Sequence, residues 1–446
     1  MQRFMMEKLI AWKADPQRKP LLLKGVRQVG KTTLLLEFGK KYFSGVHYLN
    51  FEKEPQIASI FEPDLVPTRI LSDLAFFLEK PIRPGEDLVI FDEIQEAPRA
   101  LTSLKYFREE CPNLHLCAAG SLLGLSLGSS SFPVGKVDFE TLRPMSFEEF
   151  LTAQNDKSLP YFKNITSNSA IPSAVHEHLL QELKHYFVVG GLPEAVSTYC
   201  QHKGDITEAF SLVRKKQSDL LLSYYADIAK HAGKVNAMHI NRVFQSVPAQ
   251  MSHAQDGSIR RFKFKGVVPG ISHYDRLAGA IDWLEATGMI LKIPIVESAL
   301  VPFQAYAKEN CFKLLVFDVG MLGLMTSLSP KAILDGDYGS YKGYFVENFV
   351  AQELLLRTTP LLYSWQEGNA EIEFLLEIGG KAVPVEVKSG TLTKAKSLQS
   401  FREKYRPPLQ IILSSKRLNI GNKNAVQYCP LYFTDRFFGK PNPTRR

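Results

Sequence analysis

The sequence has no hydrophobic run long enough to cross a bilayer, no internal repeat and no low-complexity tract. Membrane-spanning and solenoid classes are thereby excluded. The N-terminal stretch MQRFMMEKLIAWKADPQRKP holds one short apolar patch broken by Glu7, Lys8 and Lys13, which is no secretory signal. The expectation is a cytoplasmic protein that does not engage a membrane. Cysteine is sparse as well: Cys111, Cys117, Cys200, Cys311 and Cys429 are scattered, with no C-x-x-C pair and no matching histidine spacing. That excludes a disulfide framework and a structural zinc site. Charge of one sign is also limited. A formal +8 over 446 residues permits a polyanionic partner without specifying one.

What is present is an ordinary globular composition, with 45% apolar and 22% charged residues. A single core stops growing at roughly 250 to 300 residues, so the chain must divide. The organisation predicts three domains, at 1–200, 201–305 and 306–446.

In the first third, PLLLKG from Pro20, VHYLNFE from Val46, DLVIFDE from Asp87 and LHLCAAGS from Leu114 are apolar at nearly every position. Such runs mark strands buried on both faces, and the spacing leaves room for crossover helices, which predicts a parallel doubly wound α/β sheet. From Met145 to Ala195 the pattern turns helical and reads as a lid attached to that sheet. After Cys200, amphipathic helices lead to SHYDRLAGAIDWLEATGMILKIPIV, where Leu277, Ile281 and Leu284 share a helical face ahead of a strand-like run. A helix followed by a hairpin suits a winged helix. From Lys313 a third α/β unit begins, and the tail GKPNPTRR reads as a frayed end.

Gly25, Val26, Arg27, Gln28, Val29, Gly30, Lys31 and Thr32 fit G-x-x-x-x-G-K-[ST], followed by Thr33 and lying between a strand-like and a helix-like segment. In that context the loop backbone and the helix N-terminus cradle phosphates, Lys31 reaches the β and γ phosphates, and the Thr32 hydroxyl ligates Mg²⁺. LVIFDE places Asp92 at a strand end, where it holds the magnesium through water. Glu93 beside it is placed to activate an attacking water. Ser121 follows another strand and either caps the next helix or contacts the γ phosphate or the water. Arg27, Arg99 and Arg143 are the arginines near these motifs, and none is singled out for the γ phosphate.

The blocks GVRQVGKTTLL, LVIFDEIQ, AAGSLLG, FPVGKVDFETLRPMSFEEFL, YFVVGGLPEAV and VPVEVKSG together resemble the large group of prokaryotic AAA+-like ATPases with a C-terminal domain of unassigned function. The resemblance runs over nearly the full length. It implies ATP as the nucleotide and an additional-strand P-loop core, in which a strand is inserted between those carrying the two phosphate-site motifs. A winged-helix segment and a restriction-endonuclease-like α/β domain would follow.

Glu347 on a helix-like segment, Glu373 in EIEFLLEI, and Glu386 and Lys388 in VPVEVK follow the order of the PD-(D/E)XK nuclease pattern. There the carboxylates bind Mg²⁺ and the lysine orients or activates water, and strand alternation puts Glu386 and Lys388 on one face. Glutamate at position 373, where aspartate is usual, displaces the metal. The alternative is a solvated strand face, since Glu371 and Glu373 also share a face. Lys263, Lys265, His273 and Arg276 near the winged-helix segment either contact phosphates or form a solvated face.

The leading expectation is an ATP-hydrolysing protein whose nucleotide state controls engagement of DNA by the C-terminal domains. Two alternatives stand beside it: an ATP-gated, metal-dependent nuclease, and a nucleotide-dependent switch that binds a protein partner or a second copy of the chain.

Overall fold

The computed structural model describes residues 1–121, 133, 135–166, 170–251, 261–339, 341–357, 361–390, 396–418 and 426–437. The tail from Gly439 lies outside them. The chain forms two compact units: Met1–Arg143 with Ala286–Gly288, and Pro144–Glu285 with Met289–Arg446.

In the first unit, α1 (Met5–Ala14) precedes β1 (Leu21–Lys24), α2 (Lys31–Tyr42), β2 (Gly45–Asn50), α3 (Pro67–Phe77), β3 (Asp87–Asp92), α4 (Pro98–Glu110), β4 (His115–Gly120) and β5 (Asp138–Thr141). The five strands are ordered β2-β3-β4-β1-β5 and every neighbouring pair is parallel. β4 lies between the strand that feeds the glycine loop and the strand that ends in Asp92. The core is therefore an additional-strand P-loop sheet. All six residues of β3 and of β4 are buried, because helices cover both faces of a parallel sheet. On one face Leu22, Leu49, Phe51 and Phe91 pack with Ile70 and Leu74 of α3 and Leu104 and Phe107 of α4.

The second unit opens with α5 (Phe147–Ala153), which starts at Ser146 because Ser146 and Glu149 cap each other's backbone amides reciprocally. There follow α6 (Leu159–Asn164), α7 (Ser173–Val189), α8 (Pro193–His202), α9 (Ile206–His231), α10 (Lys234–Met251) and α11 (Ala278–Ala286). The helical stretch after Pro144 groups with the C-terminal residues: the Phe147 amide donates to Glu353 Oε1 at 3.0 Å.

Next come β6 (Ile290–Val296), β7 (Ala307–Val316), α12 (Val319–Met325), α13 (Pro330–Asp335), α14 (Tyr341–Arg357), β8 (Tyr363–Glu367), β9 (Ala370–Ile378), β10 (Lys381–Val387), α15 (Lys396–Tyr405), β11 (Gln410–Ser414), β12 (Val426–Pro430) and α16 (Thr434–Phe437). These strands make one mixed sheet, β12-β11-β10-β9-β8-β6-β7. The expected hairpin after α11 is present as antiparallel β6 and β7. Its strand β6 also pairs in parallel with β8 at Ile295 and Val296, so the hairpin belongs to the C-terminal sheet. Trp365, Ile372, Phe401 and Ile412 lie in a core between this sheet and α15. Among the described residues no helix is long and apolar enough to cross a membrane.

Candidate functional site

β1 runs into the loop Gly25–Gly30, which opens α2. Position 25 needs glycine, because a Cβ there would lie 2.2 Å from the Leu142 carbonyl oxygen. Gln28 and Gly30 take positive φ of 63° and 96°, which folds the chain tightly onto the helix N-terminus. Arg3, just ahead of α1, braces the loop by donating from Nη1 to the Val29 carbonyl at 3.1 Å. The partial positive charge at the start of a twelve-residue helix is thus presented by the loop.

Lys31 is buried, and its Nζ donates to the carbonyls of Gly25 at 2.8 Å and Val26 at 3.2 Å. Burial pushes its ammonium down to about 8, against the opposing pull of Glu93 and Asp92. Thr32 Oγ1 donates to Asp92 Oδ2 at 2.8 Å, and Tyr48 from β2 donates its hydroxyl to the same oxygen at 2.8 Å. Burial, reinforced by Asp92, raises the Tyr48 phenol to about 12, so Tyr48 stays a donor. Asn50 in turn donates to the Tyr48 hydroxyl at 3.0 Å. Glu93 sits in a left-handed conformation with φ 51°, and Gln95 Nε2 donates to its Oε2 at 2.6 Å. Ser121 follows β4 directly and is half-buried.

Two of the flanking arginines have partners away from the loop. Arg27 lies 3.9 Å from Glu52, and Arg99 donates to the Phe61 carbonyl at 2.7 Å. Burial lowers the Arg143 guanidinium to about 10. The fit to a magnesium nucleotide is chemically consistent. A hydroxyl and a carboxylate oxygen stand together near a buried ammonium whose hydrogen bonds among the described residues are to loop carbonyls, which a phosphate oxygen outcompetes.

In the second unit, α14 supplies Glu347, β9 supplies Glu371 and Glu373, β10 supplies Glu386, and Lys388 follows β10. Glu347, Glu373 and Glu386 are all buried. Lys388 Nζ is 2.6 Å from Glu386 Oε1 and 4.0 Å from Glu373 Oε1, while the Val387 amide donates to Glu373 Oε2 at 3.0 Å. Lys313 of β7, which the sequence pattern did not single out, closes the cluster. Its Nζ lies 3.0 Å from Glu347 Oε1 and 2.6 Å from Glu371 Oε1.

Burial opposes charge on the Lys313 ammonium, but Glu347, Glu371 and Glu373 outweigh it and hold the ammonium above its ordinary range. Burial and the neighbouring Glu386 raise the Glu373 carboxyl well above the usual carboxylate range. Burial also raises Glu386, against the attraction of Lys388. Four carboxyl groups therefore share two ammonium groups. The buried Glu386 Oε2 has no hydrogen-bond partner among the described residues. That orphaned oxygen lies in an acid-rich cluster whose carboxylates pair with the two ammonium groups.

Residues 17–151 match the family model described as an AAA domain. Most of the matched stretch lies in the first unit. Residues 180–332 and 342–433 match two further models, each described as a domain of unknown function (DUF8612 and DUF4143). No curated protein matches the chain.

The chain also matches solved structures, three of which follow. The Walker-type ATPase PABY2304 of Pyrococcus abyssi shares 16% identity at a TM-score of 0.45, over 73% of this chain and 95% of its own. Cdc6p of Pyrobaculum aerophilum shares 12% at 0.26, over 75% and 93%. AMPPCP-bound DnaA of Aquifex aeolicus shares 14% at 0.28, over 63% and 86%. Likeness at this level transfers no residue role.

In the first unit, Tyr48, Gln95 and Arg3 belong to neither G-x-x-x-x-G-K-[ST] nor LVIFDE. Tyr48 lies in VHYLNFE, whose strand alternates in burial instead of being buried on both faces, and Tyr48 and Asn50 fall on its half-buried phase. Arg3 and Gln95 carried no sequence signal, since each acts on a group set by the folded loop.

Proposed function

We propose that the AAA domain binds ATP with Mg²⁺ and hydrolyses it, and that nucleotide state governs how the second unit engages nucleic acid. The observation that carries this is the hydrogen bond between Thr32 and Asp92, set beside Lys31 within the glycine loop. In this reading the amides of Gly25 to Thr33 and the start of α2 receive the phosphates, and Lys31 leaves its loop carbonyls for the β and γ oxygens. Thr32 would ligate the metal with Asp92 behind it, and bound magnesium would neutralise charge on the phosphate oxygens. Glu93, aimed by Gln95, is the general base for water. Ser121 stands at the end of β4 as a contact for the γ phosphate or that water. The test is ATP turnover by the purified, folded chain. Complete absence of turnover, with and without nucleic acid, removes the reading.

A second reading is favoured by the convergence of Glu347, Glu373, Glu386 and Lys388 with Glu371 and Lys313. That cluster suits a PD-(D/E)XK-type centre in which carboxylates hold a divalent cation and Lys388 orients water at a phosphodiester. Linear and single-stranded DNA are incubated with Mg²⁺ or Mn²⁺, with and without ATP, using wild type and Lys388→Ala. No cleavage under any condition removes it.

A further inference from the structure

A cleft of about 900 Å³ in the second unit lies between the segment Arg261–Lys265 and the β8–β9 turn, and its lining includes Gln366, Asn369 and Glu371. The segment alternates. Arg261, Lys263 and Lys265 are exposed, while Phe262 is buried and Phe264 is half-buried. The two phenylalanines pack on Phe312 of β7, with ring centroids 6.3 and 5.8 Å away, and Phe264 also meets Tyr274 at 5.5 Å. This packing turns Phe262 and Phe264 inward and leaves Arg261, Lys263 and Lys265, the last at the start of a turn, exposed in the lining of the cleft.

The backbone is pinned as well. The Phe262 amide donates to the Phe312 carbonyl at 2.8 Å, and Gln250 of α10 bonds both the amide and the carbonyl of Lys263, at 2.8 and 2.7 Å. Among the described residues neither Lys263 nor Lys265 forms a salt bridge. Arg261 donates from Nη2 to the Asn310 carbonyl, a neutral partner that leaves its charge in place. Glu371, the acid in the lining, is already paired with Lys313. The result is a row of cations without a carboxylate partner among the described residues along one wall, neutral amide side chains on the other, and a way in to the carboxylate cluster through Glu371.

We infer that this cleft is the seat of a single strand of nucleic acid, with Arg261, Lys263 and Lys265 taking successive phosphates and directing the strand toward the Glu371 end. The charge row complements a phosphodiester backbone, and the pinned backbone removes the cost of ordering the segment itself. Duplex is the alternative that the two probes below distinguish. This rests on the nucleic-acid engagement proposed above and names where in the second unit it happens.

The experiment uses the full chain and two labelled probes, a 20-nucleotide oligo(dT) and a duplex of about the same length, with anisotropy read across a salt series. The wild type should prefer oligo(dT). The triple variant Arg261→Gln/Lys263→Gln/Lys265→Gln should bind it at least about tenfold more weakly, with the log–log salt slope reduced by about 2, since each lost contact accounts for roughly 0.7 on a single strand. A control that removes the same net charge from exposed sites in the first unit, Lys40→Gln/Lys41→Gln/Lys80→Gln, should bind as wild type does. Unchanged thermal melting and ATP turnover confirm that the cleft variant is folded. Wild-type binding with an unaffected cleft variant overturns the cleft while leaving nucleic-acid engagement standing. Equal losses in the control, or preference for duplex, overturn it too. Failure of the wild type to bind either probe overturns both this inference and the reading it rests on.

Discussion

Lys313 Nζ and Glu347 Oε1 stand 3.0 Å apart, with side chains only 1% and 3% exposed. A buried ammonium is tolerated only because Glu347 and Glu371 surround it, and the acids are equally dependent on it. Lys313→Met should therefore cost about 3–5 kcal/mol at neutral pH, the usual penalty for leaving a buried charge unpaired. Lys313 also pulls down the Glu373 carboxyl, which burial and Glu386 hold well above the usual carboxylate range; without the cation it rises further above its unfolded value, so its ionisation destabilises the fold more as pH rises. The deficit should be larger at pH 8 than at pH 5 in denaturant unfolding of wild type and variant. Equal stability of the two at pH 8 would refute the dependence.

Lys31 carries a second prediction. Its free-state ammonium titrates near 8, whereas bound phosphates demand the charged form. Above that pH, nucleotide binding must take up a proton, so affinity should fall by up to about tenfold per pH unit. Calorimetry at pH 8.5 in buffers of different ionisation enthalpy should show net proton uptake. A pH-independent Kd between 7 and 9.5 would mean that Lys31 is already fully charged.

Binding and chemistry should separate by variant. Lys31→Ala removes the phosphate-facing charge and should abolish nucleotide binding. Glu93→Gln keeps shape and the contact with Gln95 but loses the base, so binding should persist while turnover drops by about 10² to 10⁴. Turnover of Glu93→Gln at the wild-type rate would assign the base elsewhere.

Gly25→Ala forces a Cβ to within 2.2 Å of the Leu142 carbonyl, a backbone atom that cannot swing away. A loss of about 1–3 kcal/mol is expected, with weakened nucleotide binding. Gly204→Ala, with open space around the new Cβ, should change stability by less than about 0.5 kcal/mol. Thermal melting of both variants checks the contrast, and comparable melting would show that the loop can relax away from Leu142.

The nucleotide site was legible because its parts are local. Gly25 to Thr33 is contiguous, and its chemistry follows from the turn and helix that the same residues encode. Asp92 and Glu93 could be placed because a run as apolar as LVIF must be a buried strand, and the acids after it must emerge at its end. The four sheet strands read from the first third all form, in parallel, with β4 inserted as an additional-strand core requires.

The C-terminal cluster was legible only as an order of residues along the chain. Glu347, Glu373, Glu386 and Lys388 could be named from their motif, but nothing in KLLVF marks Lys313 as more than a strand residue. Its position depends on how β7 joins the far side of a seven-stranded sheet. The same holds for Tyr48 on Asp92, Gln95 on Glu93, and the row Arg261, Lys263 and Lys265 facing Glu371. Sequence alone determined the phosphate loop, its acidic partners and the strands that carry them, since these follow from short-range periodicity and backbone geometry. Tertiary structure decided which charges meet in the interior, because burial and pairing across strands distant in sequence are set by the packing of the whole unit.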